Sequence, residues 1–308
     1  MARRDRWIGF LILLPSIILL AIFVYGFIGW TTRVSLSKWD GITPDYTWVG
    51  LTNFTNLFTT AGGISARRFQ IDLWNTFFFT VAFLLLCVSV GLMLAILLDQ
   101  KVRFEGLFRT IYLFPMALSF VVTGVIWQWI FAPGTANRLR GVNALLEAIG
   151  LSGLQWKWYT STESIGPFHL ALIPVIIAAS WQMIGYTMAM YLAGLRGIPE
   201  EVREAARVDG ATETQIYRRV IMPMLRPITL SALIILGHIS LKIFDLIYTM
   251  TGKGPGFVTD VPGIFMFETT FQGNHYAQGA AISMVMLVMV TFVVVPYLIT
   301  QLRGEVER

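Results

Sequence analysis

Apolar runs dominate the chain and divide it into evenly built pieces. Residues 7–30, 73–98, 107–131, 168–195, 228–250 and 279–302 carry little or no charge. Each is long enough as a helix to cross a hydrocarbon core of about 30 Å. The pattern predicts an all-α integral membrane protein with six transmembrane helices in one membrane domain over residues 1–308. The first run is too long for the apolar part of a signal peptide and lacks a small-x-small cleavage site, so a retained span is expected. Only a short charged turn with Lys101 and Arg103 separates the second and third runs, which makes them antiparallel neighbours. Residues 31–72 form a mixed aromatic and polar loop. Residues 132–167 form a Trp-rich loop in which Trp156, Trp158 and Tyr159 suit a membrane interface.

One polar stretch, 198–223, interrupts the pattern between the fourth and fifth runs. Pro199 suits the first turn of a helix, where its nitrogen needs no partner, and Glu200 and Glu201 sit where the helix dipole favours anions. Val202, Ala205 and Ala206 fall on one small-residue face, Arg203 and Arg207 share another, and Glu204 is spaced to pair with Arg207. Asp209-Gly210 signals a turn. Thr212-x-x-Gln215 then reads as a capping box that opens a second helix, with Pro223 as its stop. The expectation is a helix, a tight turn and a helix inserted between two spans.

Composition agrees with the spans. Hydrophobic residues make up 56% of the 308 and charged residues only 13%, against about a quarter in soluble domains. The single cysteine, Cys87, lies inside an apolar run, so neither a disulfide framework nor a cysteine metal cluster is expected. The net charge of +5 follows from topology. Arg3, Arg4, Arg6, Lys101, Arg103, Arg109, Arg196, Arg203, Arg207, Arg218, Arg219, Arg226, Arg303 and Arg308 fall on the side of the termini, fourteen in all, against eight spread over the longer opposite loops. The positive-inside rule puts both termini and the polar stretch in the cytoplasm. These basic residues alternate with Glu and Asp, so a nucleic-acid partner is not expected.

Candidate chemistry is sparse. His169, His238 and His275 sit on separate elements and no H-E-x-x-H pair exists, so no catalytic residue and no metal site are expected. No G-x-x-x-x-G-K-[ST] sequence is present to cradle phosphates, so energy for uphill transport must come from a partner or an ion. In the fifth span His238, Lys242 and Asp245 recur at i, i+4, i+7, one helix stripe that must face protein or a cavity. Either Lys242 and Asp245 pair internally, or Lys242 lies near a substrate route and suits an acidic or phosphorylated solute.

The central stretch carries a family resemblance. Glu204-Ala205-Ala206, three residues, Gly210, nine residues, then Val220-x-Met222-Pro223 resembles the EAA loop of ABC importer permeases, with conservative departures at Val220 and Met222. Trp48-Val49-Gly50-Leu51-Thr52-Asn53-Phe54, Trp74-Asn75-Thr76, Phe108-Arg109-Thr110 with Pro115, Trp127-x-Trp129, and Phe244-Asp245-x-x-Tyr248-x-x-Thr251 with Gly254-Pro255 are similar to the carbohydrate-importing permeases of the maltose, lactose and glycerol-phosphate type. The likeness covers nearly the whole chain and is greatest to the first of the two permease subunits. Lys253 departs from the usual first Gly of a Gly-Gly-Pro turn.

The resemblance implies a type I importer fold with a cytoplasmic coupling hairpin between spans four and five, in the inner membrane of a prokaryote. It implies as partners a second permease subunit, two ATP-binding subunits, an extracytoplasmic solute-binding protein and membrane lipid. The chain itself would carry no cofactor, with ATP and Mg on the ATPase. Glu204, Ala205, Ala206, Asp209, Gly210 and Pro223 would serve ATPase coupling. Counting from the Ile198-Pro199 and Gly254-Pro255 landmarks places Gln182, Met183, Tyr186, Leu236, Ile239, Ser240 and Ile243 at sugar-contacting positions; Trp181, Gln182, Tyr186, Ser240 and Lys242 are the candidate pathway residues. Two other readings remain: a permease for an anionic solute such as glycerol phosphate, and an ion-driven secondary transporter, which would have no use for the coupling loop.

Overall fold

A computed structural model describes residues 2–100, 102–135 and 138–306. Lys101 and Arg308 lie outside them, as do the side chains of Arg3, Arg4, Arg6 and Arg303. The helices in chain order are α1 (Ala2–Leu20), α2 (Phe27–Ser35), α3 (Thr52–Phe58), α4 (Gly63–Asp99), α5 (Glu105–Leu113), α6 (Phe120–Ile130), α7 (Gly141–Ala148), α8 (Ile173–Arg196), α9 (Glu200–Val208), α10 (Glu213–Ile216), α11 (Met222–Met224), α12 (Arg226–Leu241), α13 (Asp245–Met250), α14 (Pro262–Phe267) and α15 (Tyr276–Val306). Two small antiparallel hairpins, β1 (Gly134–Thr135) with β2 (Arg138–Leu139) and β3 (Ser164–Ile165) with β4 (Phe168–His169), sit in the loop before α8. Among the described residues four helical stretches are long and apolar enough to cross a membrane, and counting each of two bent pairs as one span brings the number to six.

The chain divides into two compact units. The first comprises Met1–Gln70 and Phe265–Val288. A π-helical turn, Ala21–Gly26, joins α1 to α2, so the helix continues five residues past the expected end at Trp30. The segment that follows is ordered rather than an irregular loop. The Lys38 amide donates to the Thr47 carbonyl and the Val49 amide to Leu36, both at 2.9 Å. The Asn53 side chain donates to the carbonyls of Ser35 and Ser37 at 2.9 and 2.8 Å. Arg68 pairs with Glu268 at 2.8 Å and lies 4.4 Å over the Phe265 ring.

The second unit comprises Ile71–Ile264 and Met289–Arg308. Its core is built from Phe79, Phe83 and Cys87 of α4, Val175, Ala179 and Met183 of α8, and Leu236, Ile243, Leu246, Ile247 and Met250 from the fifth-span region. Glycines let backbones meet. A Cβ on Gly185 would stand 1.8 Å from the Tyr112 carbonyl oxygen, and one on Gly124 would stand 2.0 Å from Thr249 Oγ1. This is the small-residue contact expected where helices pack without hydrophobic drive between them. Asn75 knots three segments: its amide donates to the carbonyls of Phe257 and Asp260 at 3.1 and 2.9 Å, and its oxygen meets His169 Nδ1 at 2.8 Å.

Two expected spans are not continuous. The third, expected over 107–131, is α5 and α6 set at 100° to each other. Pro115 ends the helical hydrogen-bond ladder, and Ser119 restarts it as an N-cap whose Oγ accepts from the Val122 amide at 3.2 Å. The fifth, expected over 228–250, is α12 and α13 separated at 242–244, where Lys242 and Phe244 leave helical geometry. α4 begins at Gly63, ten residues before the expected start of the second span; the end of α8 at Arg196 and the start of α15 at Tyr276 move by three residues or fewer.

Candidate functional site

The central stretch folds into the expected helix-turn-helix, with different internal contacts. Pro199 is the N-cap of α9, not a residue of its first turn, with extended ψ of 139°. Glu200 and Glu201 then open the helix at its positive end. Gly210 takes φ of +78° with nothing within 4 Å of where a Cβ would be. The position requires the left-handed conformation that glycine alone adopts freely. The capping box forms as read: the Thr212 amide donates to Gln215 Oε1 at 2.8 Å, and the Thr212 side chain accepts in return. Pro223 does not stop the second helix. A π-helical turn at Tyr217–Ile221 runs into α11, and the bend of 61° falls before α12. Pro223 is the second residue of α11, just past the π-helical turn.

The faces of α9 also differ from the reading by spacing. Ala206 turns inward, against a cluster of Ala95, Leu98, Tyr191, Leu192, Leu195, Ile216, Ile221 and Leu225. Ala205 turns outward with Glu204, Asp209 and Val208, and the Val208 side chain is 87% exposed. Small apolar surface bounded by carboxylates is therefore presented to solvent. Arg207 pairs with Glu213 at 2.9 Å and lies 3.6 Å from Glu200, rather than pairing with Glu204. Arg203 bonds Asp99, the last residue of α4, at 2.8 Å. Sequence reasoning passed over Asp99; its signal was a lone carboxylate at the end of an apolar run.

The candidate pathway residues part company. Gln182 is 2% exposed, and its amide donates to the Leu118 carbonyl at 2.7 Å. That carbonyl sits in the break of the third span, so Gln182 braces the bend. Ser240 is buried, its hydroxyl donating to the Gly237 carbonyl one turn back at 2.8 Å. Met183, Leu236 and Ile243 belong to the core. Tyr186 is half-buried, and Trp181, 36% exposed, meets Trp127 edge-on at 5.7 Å. Lys242 and Asp245 are exposed, and no ion pair joins them among the described residues. Because helical geometry ends at Leu241, the stripe of His238, Lys242 and Asp245 does not form. Phe244 stacks on Tyr248 at 5.1 Å just past the break.

Residues 87–304, hairpin included, match the family described as binding-protein-dependent transport system inner membrane component. The chain belongs to this family. It is a transport permease of several membrane spans. It is 41% identical to a probable ABC transporter permease of Pyrococcus horikoshii over 295 residues, covering 96% of each chain. It is 37% identical to a xylose/arabinose import permease of Haloferax volcanii over 287 residues, covering 92% of this chain and 84% of that one. A trehalose/maltose transport system permease of Thermococcus litoralis is 29% identical over 300 residues, covering 96% and 94%. The fold matches a chain of a bacterial ABC transporter crystallised for its role in alginate import, with a TM-score of 0.75 at 24% identity and 94% of each chain covered. A family of binding-protein-dependent permeases has subunits to work with, and this member carries a polar hairpin between α8 and α12.

Proposed function

We propose that this permease is one of two different membrane subunits of an ATP-driven sugar importer, and that it receives its solute from an extracytoplasmic binding protein. The relatives named for xylose/arabinose and for trehalose/maltose support the substrate class. The observation that carries the coupling role is the hairpin: Glu204, Ala205, Val208 and Asp209 face outward ahead of a glycine held at φ of +78°. A small-residue face permits close backbone approach by an ATPase groove, and the carboxylates at its rim set register. Both termini lie with the hairpin on the cytoplasmic side, and two ATPase subunits carry the ATP and Mg.

In the cycle, ATP binding closes the ATPase pair and carries the hairpins with it, and the permease pair opens outward to accept sugar. Hydrolysis and product release reset it. Of the pathway candidates, Tyr186, Trp181 and Lys242 retain side-chain surface to meet a solute, with Trp181 offering an aromatic face and Tyr186 a hydroxyl. Gln182 and Ser240 serve the path by holding its walls.

Purification of the tagged chain from native membranes in mild detergent, followed by mass spectrometry, tests the assembly. A second six-span permease and an ATPase at stoichiometric amounts are expected; a chain that arrives alone and moves solute without ATP contradicts the reading. In the same system Gly210→Pro demands φ near −65° where the turn needs +78°. It is expected to reduce uptake at least tenfold with normal membrane levels.

A further inference from the structure

Three arginines surround the junction of the hairpin with α8, and they are held differently. Arg207 stays within the hairpin, paired to Glu213 and near Glu200 with about half of its side chain in solvent. Arg196 joins the end of α8 to Glu105 of α5 at 2.7 Å, also partly in solvent. Arg203 is withdrawn: 14% of its side chain is exposed, and 9% of that of Asp99. Its guanidinium also lies 5.7 Å over the ring of Tyr217, at the start of the π-helical turn after α10. Among the described residues its Nε has no hydrogen-bond partner, so the bond through Nη2 to Asp99 is the main compensation of the charge.

A single side chain on α9 thereby grips the end of α4 and the second half of the hairpin. Around it Ala206, Ile216, Ile221 and Leu225 of the hairpin share one apolar cluster with Leu98 of α4 and Leu195 of α8. Apolar packing allows surfaces to slide. A withdrawn ion pair does not, because separating it strands two charges away from bulk water.

We infer that Arg203 and Asp99 are positioning residues that make the coupling hairpin and the adjoining end of the second span move as one body. On this view the work of the ATPase reaches α4 directly, besides reaching α8 and α12 through the covalent chain. The inference rests on the reading of the hairpin as the ATPase-docking element.

The test uses the complete importer, purified with its own partner subunits and reconstituted into liposomes, with xylose and maltose as probes and the binding protein present. Uptake and phosphate release are measured together to give sugar moved per ATP. Asp99→Asn and Arg203→Gln are each expected to lower that ratio at least fivefold. The exchanged pair Asp99→Arg with Arg203→Asp is expected to recover most of it, since the opposite charges again meet. Arg203→Lys keeps the charge without the planar fork and should fall between. Where a neutralised variant does not assemble, recovery of both assembly and ratio by the exchanged pair supports the inference. Single variants that keep the ratio within twofold of the parent overturn it, as does an exchanged pair no better than the singles. Failure of the ATPase to copurify with the parent chain would instead overturn the docking reading itself.

Discussion

Two helical stretches of the second unit are bent, and they are secured by different means. The bend of 100° between α5 and α6 is braced by polar contacts: Gln182 donates to the Leu118 carbonyl at 2.7 Å, and Ser119 caps α6. The bend of 61° where the hairpin enters α12 is held by the packing of buried Leu225 and by a short hydroxyl relay, Tyr191 to Thr229 at 2.9 Å and Thr229 to the Leu225 carbonyl at 3.1 Å. A carbonyl freed inside a membrane protein has few alternative partners, so the first bend is fixed. The second loses little if its angle changes, since apolar contacts are non-directional. Motion delivered to the hairpin is therefore expected to enter the fifth span at Leu225 and to leave the third span's shape alone.

The largest expected effect comes from removing the seat of the first bend. Gly185→Val puts side-chain atoms where the Tyr112 carbonyl stands 1.8 Å from a Cβ position, and should abolish folded protein in the membrane fraction, read by monodisperse yield in detergent. Gln182→Leu keeps the volume and removes the donor. Leaving the Leu118 carbonyl unpaired should cost about 1–3 kcal/mol, seen as a lower thermal midpoint, while the affinity for sugar stays as in the parent. A raised KM with an unchanged midpoint would instead put Gln182 on the solute. Tyr191→Phe removes the hydroxyl pair at the second bend and should cost only about 0.5–1.5 kcal/mol. If Tyr191→Phe destabilises more than Gln182→Leu, the contrast between the bends is reversed.

The hairpin was legible because its signals are local. The Thr212-x-x-Gln215 box, the Gly210 turn and the acidic start of α9 each act within four residues, and all three are present. The orientation of its faces was not, because which way Ala205 and Arg203 point depends on α4, about a hundred residues away. The break in the third span had a readable signal in Pro115 followed by Ser119, masked by the continuous apolar run. The break at 242–244 in the fifth span has neither proline nor glycine, and only the charge of Lys242 marked it. Gln182 reads as a pathway residue only by resemblance, counted from the Ile198-Pro199 landmark, and nothing within its own span announces another partner. That partner, the Leu118 carbonyl, exists only once the third span is bent.

The docking of the hairpin is open to direct measurement through Val208, 87% exposed on the outward face of α9. Val208→Cys adds a thiol there, while Cys87 is buried, and a short reagent with a maleimide at one end and a photoactivated group at the other, applied to native membranes, will bond to the thiol and on illumination insert into what lies within reach. One adduct, identified by mass spectrometry as this chain joined to the ATPase subunit and obtained in high yield, is the predicted result. A thiol at 208 that is freely modified by water-soluble maleimide in the assembled transporter, with no ATPase adduct, would contradict the coupling role of the hairpin.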